Sequence, residues 1–493
     1  MHTITKAIPS GTIAAIPAKA HAHRALIAAT LSKETSTLLI SLYSKDIDAT
    51  INSLRGLGAT IEKTATGVTV IPRNYSLGSA SKVTLSEVET TEENTAEANP
   101  AKANTSVPSS SELLAESPTA YIDAHESGTT LRLLLPVGAT LASEVIVKAA
   151  GRLPDRPLEP LKSQMEAHGV HFSKPKPPFT MSGRLQGGQF ELAGHISSQF
   201  FSGLLLAAPQ TSIETTVHST TPLQSRDYVE LTIKVMQDFG ISVISTDDSF
   251  TVPAGATYVG QNKYPIEGDW SNSAIWLVAA ALTGQALTIT GLQPDSVQAD
   301  RRIIDVIKSS GAQIHWETLQ TTAQTAAQDK ASEQVKSVNQ SVNLTSNSTY
   351  ITEHHLHCEG RATKPLSVDL EQMPDLLPVL AALACGIKGK SEFLHGARLR
   401  LKESDRLEAV TNLVNDLGGT AYCEGDNLYI EGTGSLQGGQ GDCQNDHRLV
   451  MAGTLMALIS EQSVTLKDSE AITKSYPLFF EHWNQLGGEA HEL

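Results

Sequence analysis

Aromatic residues are scarce in this sequence, at 5% of 493 residues, so aliphatic side chains and alanine must fill its core. The four cysteines, Cys358, Cys385, Cys423 and Cys443, form no CxxC pair, which argues against a zinc ribbon or a thioredoxin-type dithiol. Sparse, irregular thiols suit a reducing cytoplasm. No run approaches 18 uncharged apolar residues, so no membrane span is expected. The opening MHTITKAIPSGTIAAIPAK lacks an apolar run of signal-peptide length. Positive charge is also in short supply. With 37 Lys and Arg against 53 Asp and Glu, the net charge is −16. Such a chain repels nucleic acid and anionic membranes. An anionic ligand must therefore be caught by a local basic pocket.

What the chain does have is a repeat. A glycine-centred phrase recurs as GLGATIEK, AHGVHFSK, DFGISVIS, SSGAQIHW, DLGGTAYC and QLGGEAHE, with key glycines at 58, 169, 240, 311, 418 and 487. The gaps are 111, 71, 71, 107 and 69 residues. Each long gap holds a low-complexity stretch, about 74–119 and 317–350, read as a surface loop with a small hairpin as the alternative. Without these stretches, six units of about 70 residues remain. Each glycine reads as a helix C-cap with a strand to follow. The segments 25–31, 200–208, 274–282, 376–385 and 449–459 are apolar nearly all round, so they should be helices buried inside the repeats. The segment 404–418 has a polar face and should lie partly outside, with Ser404 as its cap.

Basic residues cluster where these helices begin. Arg24, Arg132, Arg406 and Arg448 all sit near predicted N-termini, the unfavourable end of the helix dipole for a cation. An anion bound where the helix starts converge would account for the set. The competing reading pairs each arginine with a neighbouring acid. Ser197, Ser198 and Gln199 open another helix with neutral donors, although Ser there can equally be a simple N-cap.

Ten motifs then carry a resemblance. They are PAKAHAHRALIAATLS, ESGTTLRLLLP, GRLPDRPLEPL, SSQFFSGLLLAAP, SRDYVELT, EGDWSNSAIWL, MPDLLPVLAAL, RLKESDRL, NDHRLVMAG and TKSYPLFF. In this order the chain resembles the 5-enolpyruvylshikimate-3-phosphate synthase family over nearly its whole length, apart from the two low-complexity stretches. The resemblance implies an α/β fold, a two-domain inside-out barrel of six βαβαββ repeats, three per domain, with the active site in the interdomain cleft. It places 1–17 and 268–493 in one domain and 18–267 in the other. Shikimate 3-phosphate would be held by Lys19, Arg24, Ser197, Ser198, Gln199, Ser225, Tyr228, Asp375 and Lys402. Phosphoenolpyruvate would meet Lys19, Gly128, Arg156, Gln199, Arg406, Arg448 and Lys474, with Arg132 and His447 also in the substrate site. Glu403 is assigned as the proton donor to C3, and Asp375 as the base, assisted by Lys19 or Lys402. The implied protein is a cytoplasmic monomer with two small-molecule substrates and no cofactor, metal, nucleic-acid or membrane partner.

The sequence departs from the family pattern at Ala20, where Ser is usual, at Glu126 and Arg398, where Asn is common, and at Asp227, often Pro. GIKGKS (386–391) lacks the first glycine of a P-loop. HHLHC (354–358) is read as no metal site. Two alternatives remain: the sister enzyme acting on UDP-N-acetylglucosamine, and a silent binder of phosphorylated metabolites. The sister family carries a cysteine acid in its N-terminal half, whereas the first cysteine here is Cys358.

Overall fold

All six repeat glycines adopt the left-handed backbone, with φ between 82° and 103°. A side chain at this geometry would be strained, which is why glycine recurs there. Each follows a short outer helix: α2 (Lys45–Gly56), α4 (Leu161–Ala167), α6 (Asp227–Asp238), α8 (Ile303–Ser309), α10 (Arg406–Asp416) and α12 (Phe479–Gln485). A strand follows each glycine, as the sequence predicts. This computed structural model describes residues 1–64, 66–72, 120–322, 341–343 and 350–493. The first low-complexity stretch therefore lies outside the described residues.

One repeat shows the plan. Strand Ala120–Asp123 leads into α3 (Gly128–Leu141), and strand Glu144–Lys148 returns parallel to the first. After α4, the hairpin Val170–Phe172 and Phe179–Gly183 adds two antiparallel strands. Six sheets share this order. Three of them are completed by a strand distant in sequence. Tyr264–Pro265 pairs with Ser36–Leu39, Gly11–Ala14 pairs with Leu287–Thr290, and His2–Thr5 lies between Val464–Lys467 and Glu489–Glu492.

The inner helices are α1 (Lys19–Leu31), α3, α5 (Ser198–Ala207), α7 (Trp270–Thr283), α9 (Leu377–Cys385) and α11 (His447–Ala457). In α9 all nine residues are buried, and in α1 all from His21 to Leu31. The sheets and outer helices wrap them, so no polar face is needed. Two separate apolar cores result. One divides from the other between Ile16 and Ala18, and again between Ile266 and Trp270. Within one core α5 packs closely on α3, because Gly203 has no side chain. A Cβ there would meet the Arg132 carbonyl oxygen at 2.5 Å. This approach sets Arg132 beside Gln199, one turn before Gly203.

The second low-complexity stretch is not all loop. Strand Gln313–Thr322 pairs with strand Tyr350–Glu359, and Ser341–Asn343 pairs with the latter. Residues 317–322 and 350, read as loop, are thus strand. Their backbone groups find ladder partners without an apolar alternation along the segment. The strand that follows Gly311 is simply longer here.

At the crossover, Asp269 serves two helices. Its Oδ1 accepts the Asn272 N–H of α7 at 2.8 Å, and its Oδ2 accepts the Lys19 N–H of α1 at 3.0 Å. The cap position of α1 is Ala18, which has no side-chain acceptor of its own. Asp269→Ala should therefore lose two capping bonds and lower unfolding free energy by about 2 kcal/mol in chemical denaturation. A loss below ~0.5 kcal/mol would contradict this double role.

Candidate active site

The six inner helices all begin at one cavity. Its lining includes Lys19 and Arg24 of α1, Gly128 and Arg132 of α3, and Ser198 and Gln199 of α5. From the other core come Ser271 and Asn272 of α7, Asp375 just before α9, and His447 and Arg448 of α11. Each N-terminus carries roughly half a positive charge. Together with its opening to solvent, the cleft spans about 1210 Å3. Eight Lys and Arg side chains line it against four carboxylates, an excess of positive charge inside a chain of net charge −16. Every predicted site residue lines it except Lys474, whose neighbour Ser475 does.

The arginines fall into two groups. Arg24 and Arg132 are buried with no carboxylate partner among the described residues. Arg24 instead donates to the Thr232 and Ser202 hydroxyls and to the Ala20 and Tyr228 carbonyls, and burial lowers its pKa to about 10. Arg132 donates to Gln199 Oε1 at 2.9 Å, while Gln199 Nε2 donates to Thr129 Oγ1 at 2.9 Å. The Nε atoms of Arg132 and Arg156 have no hydrogen-bond partner among the described residues, nor has either ring nitrogen of buried His447, whose Nδ1 is 3.9 Å from Asp446 Oδ1. Unpaired buried donors of this kind are costly unless a ligand meets them. Burial, and then the charge of Lys19, keep His447 neutral at physiological pH. Gly128 faces the two guanidinium groups. A Cβ there would lie 2.9 Å from Arg156 Nη1 and 3.3 Å from Arg132 Nη1.

Arg406 and Arg448 follow the acid-paired reading instead, but in full burial for Arg406. Its guanidinium meets Asp375 Oδ1 at 2.6 Å, Glu403 Oε2 at 2.6 Å and Asp446 Oδ2 at 2.8 Å. Asp375 is also 3.1 Å from Lys402 Nζ and 3.7 Å from Arg448 Nη2. Burial pushes the Asp375 pKa up, but Lys402, Arg448 and Arg406 together outweigh it and hold the carboxyl well below the usual range. Glu403 is likewise raised by burial yet held low by Arg406 and then Arg156. Burial brings Lys402 down to about 8, against the opposing pull of Asp375.

Some local expectations need correcting. Ser404 does not cap α10. Asp405 does, through the Glu408 N–H, and the Ser404 hydroxyl donates to Asp446 instead. The Asp375 side chain is turned to the cations and makes no cap bond, as its expected place in the site requires. Ser197 is the N-cap of α5, accepting from the Gln199 N–H, and also lines the cleft. Lys474 is held by Glu126 Oε2 at 2.8 Å and the Asn445 carbonyl at 2.7 Å. Asp46, Asp269, Ser271, Asn272 and Gln298 line the cleft without having been singled out. Asp46, 2.8 Å from Lys19 Nζ, lies in the first turn of α2, where an acid reads as ordinary dipole pairing.

Three of the departures from the family pattern bridge the two cores. Glu126 meets Lys474 and Asn445 Nδ2, Asp227 meets Arg302 Nη2 at 2.6 Å, and Arg398 donates to the Ser225 hydroxyl at 2.8 Å. Arg156 and Glu403 also face each other across the cleft at 3.6 Å.

Helix N-termini, unpaired cations and paired carboxylates in an interdomain cleft define a protein that handles small, multiply anionic substrates with acid–base chemistry. The chain belongs to the EPSP synthase (3-phosphoshikimate 1-carboxyvinyltransferase) family, whose model matches residues 5–87 and 91–483. It is 33% identical over 485 residues to a 3-phosphoshikimate 1-carboxyvinyltransferase of Clostridium kluyveri, spanning 98% of this chain and 96% of that protein. The Clostridium acetobutylicum enzyme of the same name is 33% identical over 487 residues, with the same coverage. The fold matches an EPSP synthase structure from Acinetobacter baumannii with a TM-score of 0.71, at 21% identity, over 100% of this chain and 99% of that one. Among the described residues no helix is long and apolar enough to cross a membrane.

Lys402 supplies a pH test. Its charged form is the one that attracts anions, and its pKa is lowered to about 8, so kcat/KM should fall as pH rises through about 8. Lys402→Arg, which stays charged, should shift that alkaline limb upward. An unchanged limb would remove Lys402 from the ionisation.

Proposed function

We propose that this cleft transfers the enolpyruvyl group of phosphoenolpyruvate to the 5-hydroxyl of shikimate 3-phosphate, releasing phosphate by addition and elimination. The observation that carries the reading is Arg406, which grips Asp375 and Glu403 with two nitrogens of one guanidinium. Two carboxylates are thereby fixed beside a cation suited to the substrate's own carboxylate.

Shikimate 3-phosphate lies against Lys19, Arg24, Ser197, Ser198, Gln199, Ser225, Tyr228, Asp375 and Lys402. Phosphoenolpyruvate lies against Lys19, Gly128, Arg156, Gln199, Arg406, Arg448 and Lys474, with Arg132 and His447 completing the donors. Asp375 takes the proton of the 5-hydroxyl as its oxygen bonds to C2, with Lys402 3.1 Å away to share the charge. Glu403 delivers a proton to C3. In the ligand-free cleft it is ionised, held so by Arg406 and Arg156 against burial. Anionic substrates that bind these arginines weaken that hold and raise the proton affinity of Glu403. The tetrahedral adduct then returns a proton from C3 to Glu403 and expels phosphate, which takes up the proton held by Asp375, restoring the double bond.

Two further points support the assignment. No cysteine lines the cleft, and Cys358, Cys385 and Cys443 are buried, which disfavours the UDP-sugar alternative. The two apolar cores support domain limits of 1–17 with 268–493, and 18–267. One chain supplies the whole cleft, in keeping with a monomer, and four free thiols are in keeping with the cytoplasm.

Purified protein should release phosphate from phosphoenolpyruvate with shikimate 3-phosphate, and not with UDP-N-acetylglucosamine or with either substrate alone. Glu403→Gln and Asp375→Asn should each lower kcat by about 10²–10⁴-fold, the usual worth of a positioned acid or base. Release with the UDP-sugar would move the activity to the sister enzyme. Ligand-induced thermal shifts without any phosphate release would mark a silent binder.

A further inference from the structure

The run HHLHC, unpromising as a sequence, is divided by the strand it occupies. In Tyr350–Glu359 successive side chains alternate between faces. Leu356 and Cys358 are buried in the core, and burial pushes the Cys358 thiol up to about 12. His354 shares their face, with Nδ1 at 3.1 Å from Thr318 Oγ1 and its ring edge-on to Trp316. His355 and His357 point the other way, away from the core.

Strand register then supplies a carboxylate. Glu317 pairs with His355 and His315 with His357. Glu317 Oε2 lies 3.2 Å from His357 Nε2, and the ligand atoms of Glu317, His355 and His357 all fall within 4.8 Å of one another. His357 Nδ1 is 2.9 Å from Thr288 Oγ1, which leaves Nε2 to face Glu317. The His315 ring stacks on His357 with centroids 5.0 Å apart. None of these residues lines the cleft.

We propose that Glu317, His355 and His357 form a binding site for a divalent transition-metal ion of the zinc type. Two imidazoles and a carboxylate are donors for zinc and its first-row neighbours, whereas calcium and magnesium require oxygen donors. A hydroxyl on the second ring nitrogen fixes the tautomer of a ligating histidine, and Thr288 is placed to do this for His357. Zinc–nitrogen bonds of about 2.0–2.1 Å draw tetrahedral ligand atoms to roughly 3.4 Å of one another. Glu317, half-exposed at 52%, has room to make that adjustment. Water takes the fourth position, or Glu353, whose Oε2 is 3.7 Å from His355 Nε2. The ion cross-links the two strands that bracket residues 323–349.

The test uses untagged full-length protein, stripped with chelator and titrated calorimetrically with zinc chloride. One equivalent should bind saturably and raise the melting temperature. His355→Ala with His357→Ala should abolish that site, and Thr288→Val should weaken it about 10-fold. Phosphate release should be unchanged in each variant. Glu317→Gln keeps the test open if the double variant fails to fold, since it should weaken binding too. No saturable binding would overturn the proposal, as would binding undiminished in these variants.

Discussion

Six helix N-termini aimed at one cavity are the constraint on which the rest of this structure depends. To point inward, the helices must lie inside their sheets, and to lie inside they must be apolar on every side. That condition produces nine consecutive buried residues in α9 and eleven in α1. It also removes polar side chains from most of each helix and concentrates them at its start. Lys19, Arg132, Gln199, Asn272, Asp375 and Arg448 all stand at or near such starts. A chain of net charge −16 thereby keeps a cationic interior of limited extent. Anions are attracted only where backbone N–H groups and guanidinium groups act together.

Concentrated charge has a cost, and the cleft offsets it in two ways. Some cations, such as Arg24, are satisfied by hydroxyls and carbonyls alone. Arg406 is instead surrounded by Asp375, Glu403 and Asp446. Removing one partner of such a buried pair leaves an uncompensated charge, worth about 3–5 kcal/mol. The carboxylates are therefore needed for the folded cleft as well as for the proton transfers proposed for them. Around the rim, Glu126, Asp227 and Arg398 link the two cores at positions where this chain differs from the family pattern. These links stand apart from the carboxylates that surround Arg406 in the interior.

Much of this was legible in the sequence because its signals are local. The glycine period and the all-apolar helices follow from single-residue conformational limits and from burial, and the motif order pointed to the family and its cleft. What escaped depends on register or on contacts distant in sequence. Ser404 looked like a cap, but Asp405 takes that place because Ser404 is drawn to Asp446, 42 residues away. Asp269 caps α1 from 250 residues further along the chain, which no local pattern could show. Strand residues 317–322 carry no apolar alternation, so their polar composition read as loop. For the same reason the run HHLHC lacked its carboxylate, because Glu317 meets His357 only through pairing of strands 40 residues apart.

A crystal structure of the protein with shikimate 3-phosphate and phosphoenolpyruvate would test the convergence of helix starts most directly. The account predicts both phosphates in the cleft, one against Lys19, Ser197 and Ser198 at the starts of α1 and α5, the other against Gly128 and Arg156 beside α3. The phosphoenolpyruvate carboxylate should lie on Arg406 and Arg448. Phosphates bound outside this cavity, or inside it but away from every helix N-terminus, would contradict it.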